Sequence, residues 1–355
     1  MMAPTLQIPL RNIWLLFLYA ADLAKVRDQF EGEIDEARDL PDLLGRILAH
    51  VVEERLRRNL SRGYRTRSQN LSRVRGRIDM LKTETGQLLE RGQVACRFEA
   101  HTMNTPRNRV VKAALERLSA RVGDDKTAHR CRALAADFSR VGVLGRRPSR
   151  TELATDQIGR NEKTDKLMLA LASMVFDLVI PNQEDGDVNV VGAQLTEHLI
   201  RHLFEKAIGN ALRLNLEPKG WRVQQGRRYR WPVKNASDGI ASVLPGMQTD
   251  IELDHDETGR HIVIDTKFTN IFTSSNYRSE MLKSGYLYQL YAYLRTQENA
   301  ERPERRHSEG MLLHPQIGGA VNEVMNIQGH QMCFRTIDLT TQPDAFEQAL
   351  EALVA

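Results

Sequence analysis

The chain of 355 residues has only three cysteines, Cys96, Cys131 and Cys333, odd in number and without a CxxC spacing. That argues against a disulfide framework and against a structural zinc ribbon. No apolar run approaches the ~20 residues needed to cross a bilayer. The stretch from Ile13 to Ala21 is apolar but short, and Pro9 and Arg11 lead into an amphipathic helix rather than a signal-peptide cleavage site. A cytoplasmic location with no membrane contact is expected. There is no G-x-x-x-x-G-K-[ST] phosphate loop, so the chain is not expected to bind or hydrolyse a nucleoside triphosphate by itself. Internal repeats and low-complexity segments are also missing.

What is present suits a mixed α and β protein of two domains. A hydrophobic content of 41% over this length supports sizeable cores. Residues 1–185 carry long helical patterns, Leu40 to Leu60, Asn108 to Val122 and Glu162 to Ile180, with short β-like pieces around Arg73 to Met80. Pro181 to Asp187 breaks the pattern and reads as a linker. Residues 186–355 read as helix (195–212), strands (220–233, 247–254, 261–268), helix (277–296), strands (310–314, 320–327, 331–339) and a closing helix (342–353). That order suits a mixed sheet flanked by helices.

The net charge is only +4, but arginines cluster. Nine lie between Arg55 and Arg77, three more are Arg146, Arg147 and Arg150, and a third group is Arg227, Arg228 and Arg230 beside Tyr229 and Trp231. Guanidinium forks capture phosphates without reading sequence, and they also suit an acidic protein partner or a plain solvated face. For the first cluster, partner and DNA stand level; for Arg227, Arg228 and Arg230, DNA is favoured. His198 and His202 stand four apart on a predicted helix, but Leu199 occupies the place where a zincin has glutamate, so exposed helix histidines are expected.

The segment from Met247 to Phe268 reads as a hairpin around Asp256-Glu257-Thr258-Gly259. If His255 faces Arg260, Asp250 lies opposite Asp265. Ile251 with Ile264, Leu253 with Ile262 and Met247 with Phe268 then form a core face. The other face carries Gln248 with Lys267, Asp250 with Asp265 and Glu252 with Val263. Facing aspartates repel, and a divalent cation would relieve them while serving phosphodiester cleavage. A solvated face with a Lys–Asp pair would show the same pattern.

Asp250 followed by Asp265-Thr266-Lys267 after the run Ile262-Val263-Ile264 resembles the PD-(D/E)xK nuclease signature, with Thr249 in the usual proline position. The resemblance implies metal binding by Asp250, Asp265 and the Thr266 carbonyl, catalysis by Asp250, Asp265 and Lys267, and a helix glutamate, for which Glu205 is the candidate. Gln289-Leu290-Tyr291-Ala292-Tyr293 matches the QxxxY element of RecB-like members, which implies that both polar residues address DNA or brace the metal site, whereas periodicity alone favours a Tyr293 packed in the core.

The run Ile8 to Ala20, Val74 to Asp79, Asn104-Thr105-Pro106 with Asn108-Arg109, Leu244 to Asp250 and Gly310 to Pro315 together resemble, in this order, the McrC family of nuclease subunits from McrBC-type modified-cytosine restriction systems. The resemblance implies a C-terminal PD-(D/E)xK domain using Mg²⁺, with Mn²⁺ as a substitute. It implies a McrB-like AAA+ GTPase hexamer as partner, which binds the GTP and reads modified cytosine in double-stranded DNA. The N-terminal domain would dock on that partner, with Ile8 to Ala20 and the 55–110 region as contact candidates. Dimerisation of assembled complexes is expected, because double-strand cleavage by a single-site nuclease needs two copies. Two alternatives stay open: a related defence nuclease with another modification or nucleotide, and a non-catalytic GTPase-activating scaffold.

Overall fold

The computed structural model describes residues 8–58, 60–154, 156, 163–178, 188–237, 239–273, 281–298 and 303–355. They divide into two units, one drawn from Gly32–Ile180 and the other from Met1–Glu31 together with Pro181–Ala355. This differs from the expected split at residue 185. The first helix, α1 (Leu10–Ala20), belongs with the C-terminal unit, and every residue from Asn12 to Tyr19 is buried. Ile8 to Ala20, expected as a partner contact, is therefore mainly a core element. The expected linker from Pro181 to Asp187 lies outside the described residues.

After the short α2 (Glu31–Glu36), the unit of residues 32–180 is built from helices whose starts are written into the chain. Asp39 accepts from the Asp42 N–H at 2.8 Å to begin α3 (Leu40–Arg57), with proline in its first turn. Three strands follow, β1 (Gly63–Leu71), β2 (Arg77–Ile78) and, beyond α4 (Met80–Thr85), β3 (Val94–Thr102); β3 lies in the middle of an antiparallel sheet. β1 was not predicted, because its polar sequence offers no apolar alternation. Thr105 and Pro106 start α5 (Pro106–Ser119), and Asp124 caps α6 (Asp125–Arg140), a helix also absent from the sequence reading. The short α7 (Arg150–Ala154) leads on to α8 (Lys163–Leu178), and α3, α5, α6 and α8 pack on one another. Arg107 and Arg55 both reach the buried Asp165, so Arg55 is a structural member of the arginine-rich stretch.

The second unit centres on a six-stranded mixed sheet in the order β12-β13-β11-β8-β7-β4, as the pattern of elements led one to expect. The long α9 (Val188–Leu216) leads into β4 (Trp221–Gln225), and β7 (Ile251–His255) and β8 (His261–Thr266) form the hairpin. The expected strand 220–233 is two pieces, since Gly226, at φ 64°, turns the chain before β5 (Arg228–Tyr229). β5 pairs with β6 (Met247–Gln248) as a separate ribbon, the two being linked through the short α10 (Ile240–Val243).

A second small ribbon joins β9 (Phe272–Thr273) to β10 (Met281–Leu282) ahead of α11 (Ser284–Gln297), which starts later than the expected 277. The remaining elements are β11 (Glu309–Pro315), β12 (Asn322–Ile327), β13 (His330–Ile337) and α12 (Pro343–Glu351); β11 runs parallel to both β8 and β13. Both faces of the sheet are covered. On one, Ile251, Leu253, Ile262, Ile264, Met311 and Leu313 pack with α1, α9 and α12. On the other, Val263, Leu312, Met332 and Phe334 pack with Leu290, Tyr293 and Leu294 of α11. The hairpin's second face is thus a second core, not a solvated polar surface.

Helix α11 approaches β11 closely where the strand has glycine. A Cβ on Gly310 would stand 2.9 Å from Leu294 Cδ1 and 3.1 Å from Leu290 Cδ2. Gly310→Ala is expected to destabilise the fold by about 1–3 kcal/mol through overpacking. Urea unfolding measures it, and an unchanged midpoint would show that α11 yields without strain.

Candidate active site around Asp250 and Asp265

Period-two alternation predicts the hairpin register, and the ladder follows it. Ile251 pairs with Ile264, Glu252 with Val263, Leu253 with Ile262 and Asp254 with His261, and the His255 N–H donates to the Arg260 carbonyl at 3.0 Å. The ladder ends at Ile251. The predicted pairs of Met247 with Phe268 and Gln248 with Lys267 do not form, because β6 pairs with β5 instead. Met247 accordingly joins the α11-side core, while Phe268 packs on the opposite one.

Where the ladder stops, Asp250 is left free to turn its side chain. Its Oδ2 accepts from the Thr266 N–H at 2.8 Å and from Thr266 Oγ1 at 2.9 Å, while the Gly226 N–H donates to its carbonyl at 2.9 Å. Thr249, in the proline position of the motif, is fully buried and donates its own N–H to the Arg227 carbonyl at 3.0 Å. Asp250 is thereby fixed to Thr266, the next residue after Asp265.

Asp265 lies at the centre of the sheet with no exposed surface. Lys267 Nζ stands 2.5 Å from its Oδ2, and neither carboxylate oxygen accepts any other hydrogen bond. Burial pushes its pKa up, Lys267 pulls it down, and Asp250 and Glu205 raise it again, leaving it at about 6. Glu205, half-buried on α9, is raised too, first by burial and then by Asp250, against Lys206 and Lys267. Glu205 thus feels the charge of Asp250 and Lys267 from its place on α9. Gln289 Nε2 donates to Tyr293 OH at 2.7 Å, so the two residues of the QxxxY element meet directly. The Tyr293 hydroxyl's pKa is raised by burial, lowered by the Gln289 bond, and raised by the charges of Asp265 and Asp250.

The basic triplet separates. Arg227 is turned inward, 3.2 Å from the buried Glu252 Oε2 and with its guanidinium over the Tyr229 ring. Arg228 and Arg230 are exposed, with Arg228 Nε donating to Gln248 Oε1 at 3.4 Å. Of the three, Arg228 and Arg230 keep their side chains open for phosphate contact. Sequence reasoning passed over Glu252, treating it as one more polar-face residue. Its carboxylate also accepts from Tyr229 OH and Thr249 Oγ1, each at 2.7 Å, and from Gln297 Nε2 at 3.2 Å. Its place two residues after Asp250 on the same face was the available signal.

Among the described residues no three His, Cys, Asp or Glu side chains gather closely enough to hold a metal by themselves. The groups that the motif offers, two carboxylates and a backbone carbonyl, are hard oxygens of the kind that suits Mg²⁺ or Mn²⁺. The unsatisfied, buried oxygens of Asp265 fit such an ion. His202 is exposed, and the side chain of His198 lies outside the described residues. All three cysteines are free and buried. Among the described residues no helix is long and apolar enough to cross a membrane.

A family model for the McrBC 5-methylcytosine restriction system component matches residues 11–315. The chain belongs to this family. A relative, the type IV methyl-directed restriction enzyme EcoKMcrBC of Escherichia coli K12, is 25% identical over 352 residues, which span 97% of this chain and 96% of that protein. A solved half-complex from a tetradecameric assembly of Thermococcus gammatolerans McrB AAA+ hexamers with bound McrC matches with a TM-score of 0.53 at 14% identity, over 96% of this chain and 76% of that one. The latter match supports the fold.

In this McrBC component the raised pKa of Asp265 has a consequence for stability. The folded chain holds that proton more tightly than the unfolded chain, whose carboxyl titrates near 3.8. The stabilisation is full below that pH and is lost as pH rises through about 6. Asp265→Asn is therefore expected to stabilise the metal-free protein at pH 7.5, by up to about 3 kcal/mol, with the gain vanishing near pH 4. Thermal unfolding in chelator across that range reads it, and parallel curves for the two proteins would rule out the buried-charge account.

Proposed function

We propose that the chain is the McrC-like endonuclease subunit of an McrBC-type restriction system, cleaving DNA by Mg²⁺-dependent phosphodiester hydrolysis in a PD-(D/E)xK site. The observation that carries this reading is the buried Asp265 carboxylate, compensated by Lys267 alone and sharing its cluster with Asp250 and Glu205. Such an arrangement is unfavourable without a ligand. A scaffold that only activated a GTPase would have no use for it.

Asp250, Asp265 and the Thr266 carbonyl are the groups that would hold the cation. Bound there, Mg²⁺ would supply charge neutralisation at the phosphate and lower the pKa of water. Lys267, held by Asp265, orients the attacking water and stabilises the negative charge that grows on phosphorus oxygens as the new P–O bond forms. Glu205, with its raised pKa, assists as a further carboxylate at the cluster's edge. The buried Tyr293, held by Gln289, braces that cluster from the core side, Gln289 faces the DNA strand, and Arg228 and Arg230 hold its backbone.

The partner is a McrB-like AAA+ GTPase hexamer, as in the Thermococcus assembly. It binds the GTP and reads the modified cytosine, since this chain has no phosphate loop. Residues 32–180 dock on it and stimulate its hydrolysis, and assembled complexes pair to cut both strands. The cytoplasm is the expected location.

Cytosine-methylated and unmethylated plasmids, incubated with Mg²⁺ with and without the AAA+ protein and GTP, provide the test. Methylation-dependent cutting should need both partner and GTP. Asp265→Ala and Lys267→Ala should reduce it at least about a hundredfold, while partner binding and GTPase stimulation persist. Loss of all three activities in Asp265→Ala would make the residue structural, and cutting by the isolated chain would make the enzyme autonomous.

A further inference from the structure

Along α11, Tyr286, Gln289 and Tyr293 recur at three- and four-residue spacing and so share one face. The charges of Asp265 and Asp250 bear on the Tyr293 end, raising its hydroxyl's pKa after burial does. The Tyr286 end is cationic. Lys267 Nζ lies 5.4 Å and Lys283 Nζ 5.3 Å from the centroid of the Tyr286 ring, so one aromatic ring serves two ammonium groups. Lys267 is compensated by Asp265. Lys283 has no carboxylate within ion-pair distance among the described residues. It stands at the cap position of α11 and its side chain makes no capping bond; among the described residues no other side chain accepts from the first-turn N–H groups.

A second observation marks the same spot. His314 of β11 is buried, its ring centroid 6.0 Å from that of Tyr286. Its Nδ1 lies 2.8 Å from the Thr269 carbonyl oxygen, which can only accept, so Nδ1 carries the hydrogen. Burial first, and then Lys283 and Lys267, hold the ring's pKa down at about 4 and keep it neutral. Nε2 is left as a buried acceptor without a donor.

We propose that Lys283, together with Lys267 across the Tyr286 ring, forms a subsite for a backbone phosphate of the DNA strand being cut, next to the scissile phosphate. The inference rests on the nuclease reading of Asp265 and Lys267. Lys267 is spent on Asp265, so Lys283, with no carboxylate beside it among the described residues, leaves one positive charge at this end of the face, and a phosphate neutralises it. The uncapped first turn of α11 adds N–H groups and the positive end of the helix dipole. Water ordered on a bound phosphate supplies the O–H that His314 Nε2 lacks. The acidic and basic ends of the α11 face then give the strand a direction, with the reacting phosphate at Asp250 and Asp265 and its neighbour at Lys283.

The test is single-turnover cleavage of methylated plasmid by the assembled complex with GTP and Mg²⁺, measured against salt concentration. For Lys283→Ala the cleavage rate should fall about tenfold and the log–log salt dependence should flatten by about one ion. Lys283→Arg should restore both, and GTP hydrolysis should be unchanged. A Lys283→Ala complex with wild-type rate and slope, or a loss that Lys283→Arg does not restore, overturns the subsite. If the wild-type complex cuts nothing, the nuclease reading falls instead. Fluorescence anisotropy of a short labelled duplex bound to the isolated chain then decides the subsite: a flatter salt slope for Lys283→Ala upholds the phosphate contact, and equal slopes remove it.

Discussion

The ion pair between Lys267 and Asp265 is the contact around which the larger unit is organised. Asp265 sits on a central strand of a sheet covered on both faces, so the layers that stabilise the fold also remove its water. Asp250 and Glu205 oppose its ionisation, and Lys267 favours it. One ammonium set against three carboxylates leaves the cluster under-compensated in a region where screening by solvent is weak. The surroundings are correspondingly firm. Thr266 fastens Asp250, Gly310 lets α11 settle close to β11, and Gln289 and Tyr293 lock to each other.

Glu252 shows what a buried carboxylate looks like when the protein itself is its ligand. It is as completely buried as Asp265 and belongs to the same hairpin, yet it accepts from Thr249, Tyr229, Arg227 and Gln297. Donors from three segments converge on it, tying the β5–β6 ribbon and the end of α11 to β7. Removing it would take the shared acceptor from a half-buried guanidinium, two hydroxyls and an amide, and each buried group left unsatisfied costs about 1–3 kcal/mol. The difference between the two acids is therefore one of satisfaction, not of burial. Glu252 is complete and structural; Asp265 is incomplete, which is what a ligand-binding group requires.

The legible parts of the chain were those with strict local rules. Alternation in β7 and β8 announced the register, and apolar periodicity announced α3 and α5. The motif residues could be brought together on paper because all but Glu205 lie on one hairpin or one helix. What could not be read depended on distant partners. Met247 and Gln248 look like a continuation of β7, but the competing strand at Arg228 and Tyr229 is nearly twenty residues upstream. Helix α1 carries a pattern that suits an interface as well as a core, and only its packing with α9 decides between them. Strand β1 has almost no apolar residues, because its sheet leaves that strand largely exposed.

Charge clustering in the sequence was a poorer guide than charge burial in the structure. In the unit of residues 32–180, Arg77 stands directly opposite Arg97 on neighbouring strands, both exposed. Such a pair resembles two facing aspartates on paper, but water and salt reduce its repulsion to well under about 1 kcal/mol at the surface. It therefore demands no ligand, and its position alone cannot distinguish a docking face from a solvated one. Asp265 has no such relief. Within the triplet from Arg227 to Arg230 the same criterion separates neighbours: Arg227 is held by a buried acid and belongs to the scaffold, whereas Arg228 and Arg230 face solvent. Of all the charges in this chain, those whose burial leaves them uncompensated say most about what it binds.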